Sequence, residues 1–118
     1  MATISEALAT AVQHHQAGRL FAAEQICRQI LALDPAHVDA LHLLGITASR
    51  LRRHEEAVLC IRRAIALKGT EATFHNNLGT ALKAQGKMDE AVACFGRALE
   101  LKPGYAVAHN NLATAFQA

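Results

Sequence analysis

The chain has 118 residues, 52% hydrophobic but only 4% aromatic, with 12 basic and 10 acidic residues and a formal net charge of +2. That length allows one compact unit or a short stack of units, and the apolar content is too high for a disordered chain. The weak charge balance excludes a dedicated nucleic-acid surface, and no apolar run approaches the ~20 residues that span a bilayer. Residues 4–17 are amphipathic, lack a basic n-region, and read as a first helix rather than a signal peptide. Thr3-Ile4-Ser5-Glu6 has the form of a capping box at its start. Gly18 breaks the pattern, and a second helix is predicted over 20–33, closed by Pro35. Leu41, Leu44, Ala48 and Leu51 recur at helical spacing and predict a helix over 38–51. Ala57, Ile61, Ala64 and Ile65 predict the next over 55–67. Three more are predicted over 72–85, 88–101 and 106–118, separated by Gly86 and Pro103. The fold class is all-α.

The helices repeat. Leu44-Gly45, Leu78-Gly79 and Leu112-Ala113 follow one another at intervals of 34 residues. The same shift links Ala23, Ala57 and Ala91, then Leu33, Leu67 and Leu101, and it links Pro35 to Gly69 and Pro103. The chain resembles the tetratricopeptide repeat family. Leu78-Gly79, Ala91, Phe95, Ala98 and Pro103 supply that family's pattern in full. Residues 38–71 depart from it at Ile61 and Gly69, and residues 4–37 at Thr10-Ala11 and Cys27. The resemblance implies a right-handed superhelical solenoid of antiparallel helix pairs over 1–118, with units at 4–37, 38–71 and 72–105 and a partial fourth at 106–118. It also implies that the first helix of each pair lines a concave groove.

One phrase recurs nearly intact: His75-Asn76-Asn77-Leu78-Gly79 returns as His109-Asn110-Asn111-Leu112-Ala113. The Leu and Gly columns hold the shape. Two consecutive Asn in mid-helix cost about 1 kcal/mol relative to Ala, so something should offset them. Two explanations stay open. The amides bond between neighbouring helices, or they form a column that hydrogen-bonds the backbone of an extended peptide. Such columns occur in the repeats of the O-linked N-acetylglucosamine transferase family, which this phrase resembles, and on that carry-over Asn77 and Asn111 are the ladder residues. The groove implied by the resemblance also takes in Asp39, His42, Arg50, Thr73, Asn76, Thr80, Lys83, Asn110 and Thr114. The clamp by which chaperone-binding members hold a carboxylate falls on Leu8, Val12, Leu43, Thr73 and Asn77, of which only Asn77 matches, so chaperone-tail binding is not expected.

Other signals point away from chemistry. His14 and His15 are adjacent and point apart on a helix, His75 and His109 fall where the family packs a bulky side chain, and no metal or other cofactor is expected. Cys60 and Cys94 lie one unit apart, roughly 10 Å by helix spacing, which is beyond disulfide reach. With Cys27 they read as small apolar residues, and three cysteines without a C-x-x-C spacing suit a reducing, cytoplasmic setting. Arg50, Arg52, Arg53, Arg62 and Arg63 form a basic neighbourhood that reads as a solvated turn or, with Arg50 reaching the groove, as an attraction for an acidic partner. No nucleophile–base arrangement stands out, so an enzyme is not expected. The expectation is a scaffold that binds a protein or peptide, with no nucleic-acid or membrane partner. The rivals are the substrate-selecting arm of a larger enzyme such as a glycosyltransferase, and a self-assembling repeat protein. The last helix carries no charge and sets Leu112 and Phe116 on one side, which predicts self-association there and a chain cut from a longer array.

Overall fold

A computed structural model of the chain describes residues 2–117. Met1 and Ala118, the ends of the expected array, lie outside the described residues. Among the described residues seven helices follow one another: α1 (Ile4–Gln16), α2 (Leu20–Leu33), α3 (Val38–Arg50), α4 (His54–Leu67), α5 (Ala72–Ala84), α6 (Met88–Leu101) and α7 (Ala106–Gln117). Each packs on the next, and α1 also meets α3, α3 meets α5, and α5 meets α7. The result is an all-α solenoid of antiparallel helix pairs, 48 Å long and 25 by 21 Å across. The inner helices α1, α3, α5 and α7 form one layer, and α2, α4 and α6 form the other.

Local chemistry sets the ends of the helices. The capping box at α1 forms: Thr3 Oγ1 accepts from the Glu6 amide and Glu6 Oε1 from the Thr3 amide, both at 3.1 Å. The turns after α1, α3 and α5 share one construction. Arg19, Arg53 and Lys87 each donate a backbone N–H five residues back, to the carbonyls of His14, Ala48 and Leu82, at 2.8, 2.8 and 2.9 Å. The preceding residue must then be left-handed. Gly18 and Gly86 meet this with φ of 80°, and Arg52 meets it with φ of 64°. The second helices end differently, in an extended residue followed by Pro35, Gly69 or Pro103. Proline there cannot continue the helix.

Packing between paired helices follows one rule of size. Phe95 and Ile61 are fully buried, and a Cβ on Gly79 or Gly45 would lie 2.6 Å from the Phe95 ring or 2.5 Å from Ile61 Cγ1. At the equivalent place in the first unit the smaller Cys27 leaves room for Ala11, and both are fully buried. The departures from the repeat pattern at positions 11 and 27 therefore compensate each other. Ala23, Ala57 and Ala91 are fully buried in the same column.

The basic neighbourhood is more than a solvated turn. Arg28 pairs with Glu56 at 3.0 Å, and Arg62 repeats the contact one unit later with Glu90 at 3.2 Å. Arg53 pairs with the nearly buried Glu24, Arg63 donates to the Pro35 carbonyl, and Arg50 donates to the His15 carbonyl at 2.7 Å. These bonds run between units. Sequence spacing did not reveal them because each partner lies about a repeat away.

Candidate functional site

The inner helices repeat every 34 residues, so their side chains form columns along the array. Two recesses open on this face. The first, of about 380 Å³, has a floor of Leu8, Val12, Leu43 and Ile46 and a rim of His15, Gln16, Asp39 and His42. The second, of about 290 Å³, continues it past His15 and Ile46 to Ser49, Arg50, Asn77 and Thr80. Polarity changes along the columns. Val12 and Ile46 give way to Thr80 and Thr114; Leu8 gives way to His42, Asn76 and Asn110; Leu43 gives way to Asn77 and Asn111. The first recess has an apolar floor, and toward α5 and α7 these three columns become neutral and polar.

The asparagines bond between helices. Asn77 Nδ2 donates to His42 Nε2 at 2.9 Å, and Asn111 Nδ2 donates to Asn76 Oδ1 at 2.9 Å. The two pairs are equivalent by the repeat. The second Asn of each phrase reaches the unit behind, and Asn76, the first Asn of the first phrase, serves the unit ahead. Asn76 is only 3% exposed, whereas Asn110 is exposed. His42 stacks on Phe74, with ring centroids 4.3 Å apart and planes 30° apart. Burial pushes the His42 imidazole down to about 4, against the pull of Asp39 and Glu71, so the ring is neutral and its Nε2 can accept. Burial also lowers His15, helped by the Arg50 charge, and its Nδ1 pairs with Thr47 Oγ1 at 3.1 Å.

The histidines that open the phrase act as polar fasteners. His75 Nε2 donates to the Gly69 carbonyl at 2.9 Å and His109 Nε2 to the Pro103 carbonyl at 2.8 Å, so each ties its helix to the loop before it. His75 is half-buried and His109 exposed. Thr80 and Thr114 donate to carbonyls of their own helix, at Asn76 and Asn110.

Of the residues expected in the groove, Asp39, His42, Arg50, Asn77 and Thr80 line the recesses. Thr73, Lys83, Asn110, Asn111 and Thr114 lie beyond them along α5 and α7, and Asn76 lies beneath. The apolar floor was not expected; the columns through Leu8 and Val12 carried the signal. Leu112 is half-buried against the core, and Phe116 is 70% exposed although the equivalent Leu82 and Ala48 are sealed. Cys27 is buried, Cys60 and Cys94 are half-buried, and burial raises all three thiols, Cys27 to about 11. Among the described residues no three His, Cys, Asp or Glu side chains converge as metal ligands, and no helix is long and apolar enough to cross a membrane.

Family models described as tetratricopeptide repeat match residues 38–71 and 72–105. The chain belongs to the tetratricopeptide repeat family. Among solved structures, this tetratricopeptide repeat chain is similar to an O-GlcNAc transferase of Thermobaculum terrenum, solved as a mutant, at TM-score 0.93 and 35% identity. The match covers 98% of this chain and 23% of that one, so the chain spans about a quarter of the transferase's length. It is similar to MamA at TM-score 0.91 and 22% identity, over 98% of this chain and 67% of that one. A third similar structure is the first TPR of Spaghetti (RPAP3), bound to an HSP90 peptide, at TM-score 0.92 and 22% identity over 97% and 90% of the two chains. At such identities the last two likenesses show the fold alone. Among curated proteins, none is a match.

Proposed function

We propose that the chain is a non-catalytic scaffold whose inner face binds an extended segment of a partner protein. The whole of 1–118 acts as one array, with units 4–37, 38–71 and 72–105 and a partial unit over 106–118. The single observation that carries this reading is the pair of adjoining recesses across α1, α3 and α5, which share His15 and Ile46 and are apolar at Leu8, Val12, Leu43 and Ile46 and amide-lined at Asn77. An apolar floor accepts apolar side chains and rejects charged ones, and a carboxamide matches the donor and acceptor of a peptide group. The bound peptide in the Spaghetti structure supports the same use of this fold. The three free thiols, raised by burial, suit a cytoplasmic setting.

Peptide display on the whole chain tests the proposal. Selection should yield binders, and replacing both Asn77 and Asn111 with Ala should weaken them by about 0.5–1.5 kcal/mol for each lost bond. Selected peptides indifferent to these changes and to Ile46→Glu would sink the groove reading.

Two further readings each rest on an observation. The 35% identity to a stretch of a transferase supports a role as the substrate-selecting arm of a longer enzyme. The exposure of Phe116 on an uncharged helix supports pairing of two copies through α7.

A further inference from the structure

We infer that His42 and Asn76 are positioning residues for the groove: each holds, from its own unit, the carboxamide that the next unit offers to the ligand. This fixes how Asn77 and Asn111 present their remaining polar atoms. The inference rests on the groove reading above.

The geometry separates holder from reader. Asn76 is almost completely buried and His42 is clamped in its stack on Phe74. Asn77 lines the second recess, His42 meets the first only at its rim, and Asn111 is half-buried. Both holders act as acceptors at 2.9 Å, through His42 Nε2 and Asn76 Oδ1, and each uses one N–H of its reader. The reader keeps a carbonyl oxygen and one N–H, which together complement one peptide group. A free carboxamide must be ordered when ligand arrives; a held one is ordered beforehand, and less entropy is lost on binding. One unit earlier the same two columns carry Leu8 and Leu43, where the floor is apolar and nothing needs orienting.

The two holders differ in one testable respect. An imidazole accepts at Nε2 only while that nitrogen is unprotonated, whereas the Asn76 carbonyl accepts at any ordinary pH. The groups facing His42 are Asp39 on its own helix, Glu71 just before α5 and His15 on α1.

Nitrogen NMR on the intact, ligand-free chain gives the direct test. At neutral pH a scalar coupling across the hydrogen bond should connect Asn77 Nδ2 with His42 Nε2, and it should vanish on acidification. His42→Leu should leave the helical circular dichroism intact, lower the side-chain order parameter of Asn77 and spare Asn111. His42→Asn recreates the downstream pair and should restore that order. A peptide selected on the wild-type chain serves as the binding probe. His42→Leu should weaken it about 2- to 12-fold, the worth of one hydrogen bond, and His42→Asn should recover it. Asn77 equally ordered in His42→Leu overturns the inference. So does wild-type affinity in His42→Leu when Asn77→Ala binds weakly, a result that leaves the groove reading standing. If Asn77→Ala and Asn111→Ala both bind normally, the positioning role falls, and if Ile46→Glu binds normally as well the groove reading falls with it.

Discussion

Arg52 sits in the left-handed region where the two equivalent turns carry glycine. A side chain there costs roughly 1–2 kcal/mol, and the greater freedom of glycine in the unfolded chain returns part of that. Arg52→Gly is therefore expected to stabilise the chain by about 0.5–1 kcal/mol, read as a higher urea midpoint at unchanged slope. An unmoved or lowered midpoint would show that the Arg52 side chain offsets its own strain. His42 gives a pH dependence whose sign follows from its shift. Its folded pKa, about 4, lies below the ordinary 6.5, so the unfolded chain takes up a proton first as pH falls. The stability is fully present above pH 6.5, declines between 6.5 and about 4, and levels off below that. Allowing for partial exposure, the loss from this one group is about 2–3 kcal/mol. His42→Asn should flatten that part of a denaturation profile taken against pH; a profile unchanged by the substitution would contradict the burial argument.

Helices pair here by matching a small residue on the inner element to a large one on the outer. Gly79 faces Phe95, Gly45 faces Ile61, and the equivalent Ala11 and Cys27 share one buried cluster. Gly79→Ala raises helix propensity, yet its Cβ would meet the Phe95 ring at 2.6 Å, so overpacking should win by roughly 1–3 kcal/mol. Combining it with Phe95→Leu should recover part of the loss, as a coupling in a double-mutant cycle. Strict additivity would mean that the two side chains do not compete for the same space. The repeated Arg28–Glu56 and Arg62–Glu90 bridges join outer helices across units but are half-exposed, so each adds well under about 1 kcal/mol. Register between units is better credited to the buried columns than to these pairs.

At the scale of the molecule, α7 is the element whose packing differs from its equivalents. Leu44 and Leu78 are sealed by the helices that follow them, while Leu112 stays half-buried and Phe116 stands in solvent. The proposed pairing of copies predicts a mass that rises with concentration in light scattering, and Phe116→Glu should abolish the rise. A mass of one chain throughout, unaltered by that change, removes the pairing reading and leaves the groove reading untouched.

Much of this was written in the sequence because repetition makes it redundant. Seven helices, their ends to within about one residue and the capping box follow from local periodicity and turn chemistry, which act over a few residues, and the Leu-Gly columns follow from the 34-residue repeat. The direction of the Asn side chains did not. Whether Asn77 turns outward or reaches His42 depends on how far α5 stands from α3, and that spacing is a tertiary property, set by the packing of α4 against both helices. The fasteners at His75 and His109 and the cross-unit bonds of Arg50, Arg53 and Arg63 were hidden in the same way. A polar side chain shows its type in sequence, but its partner is chosen by whichever group the packed helices bring within about 3 Å, and only the tertiary structure decides which that is.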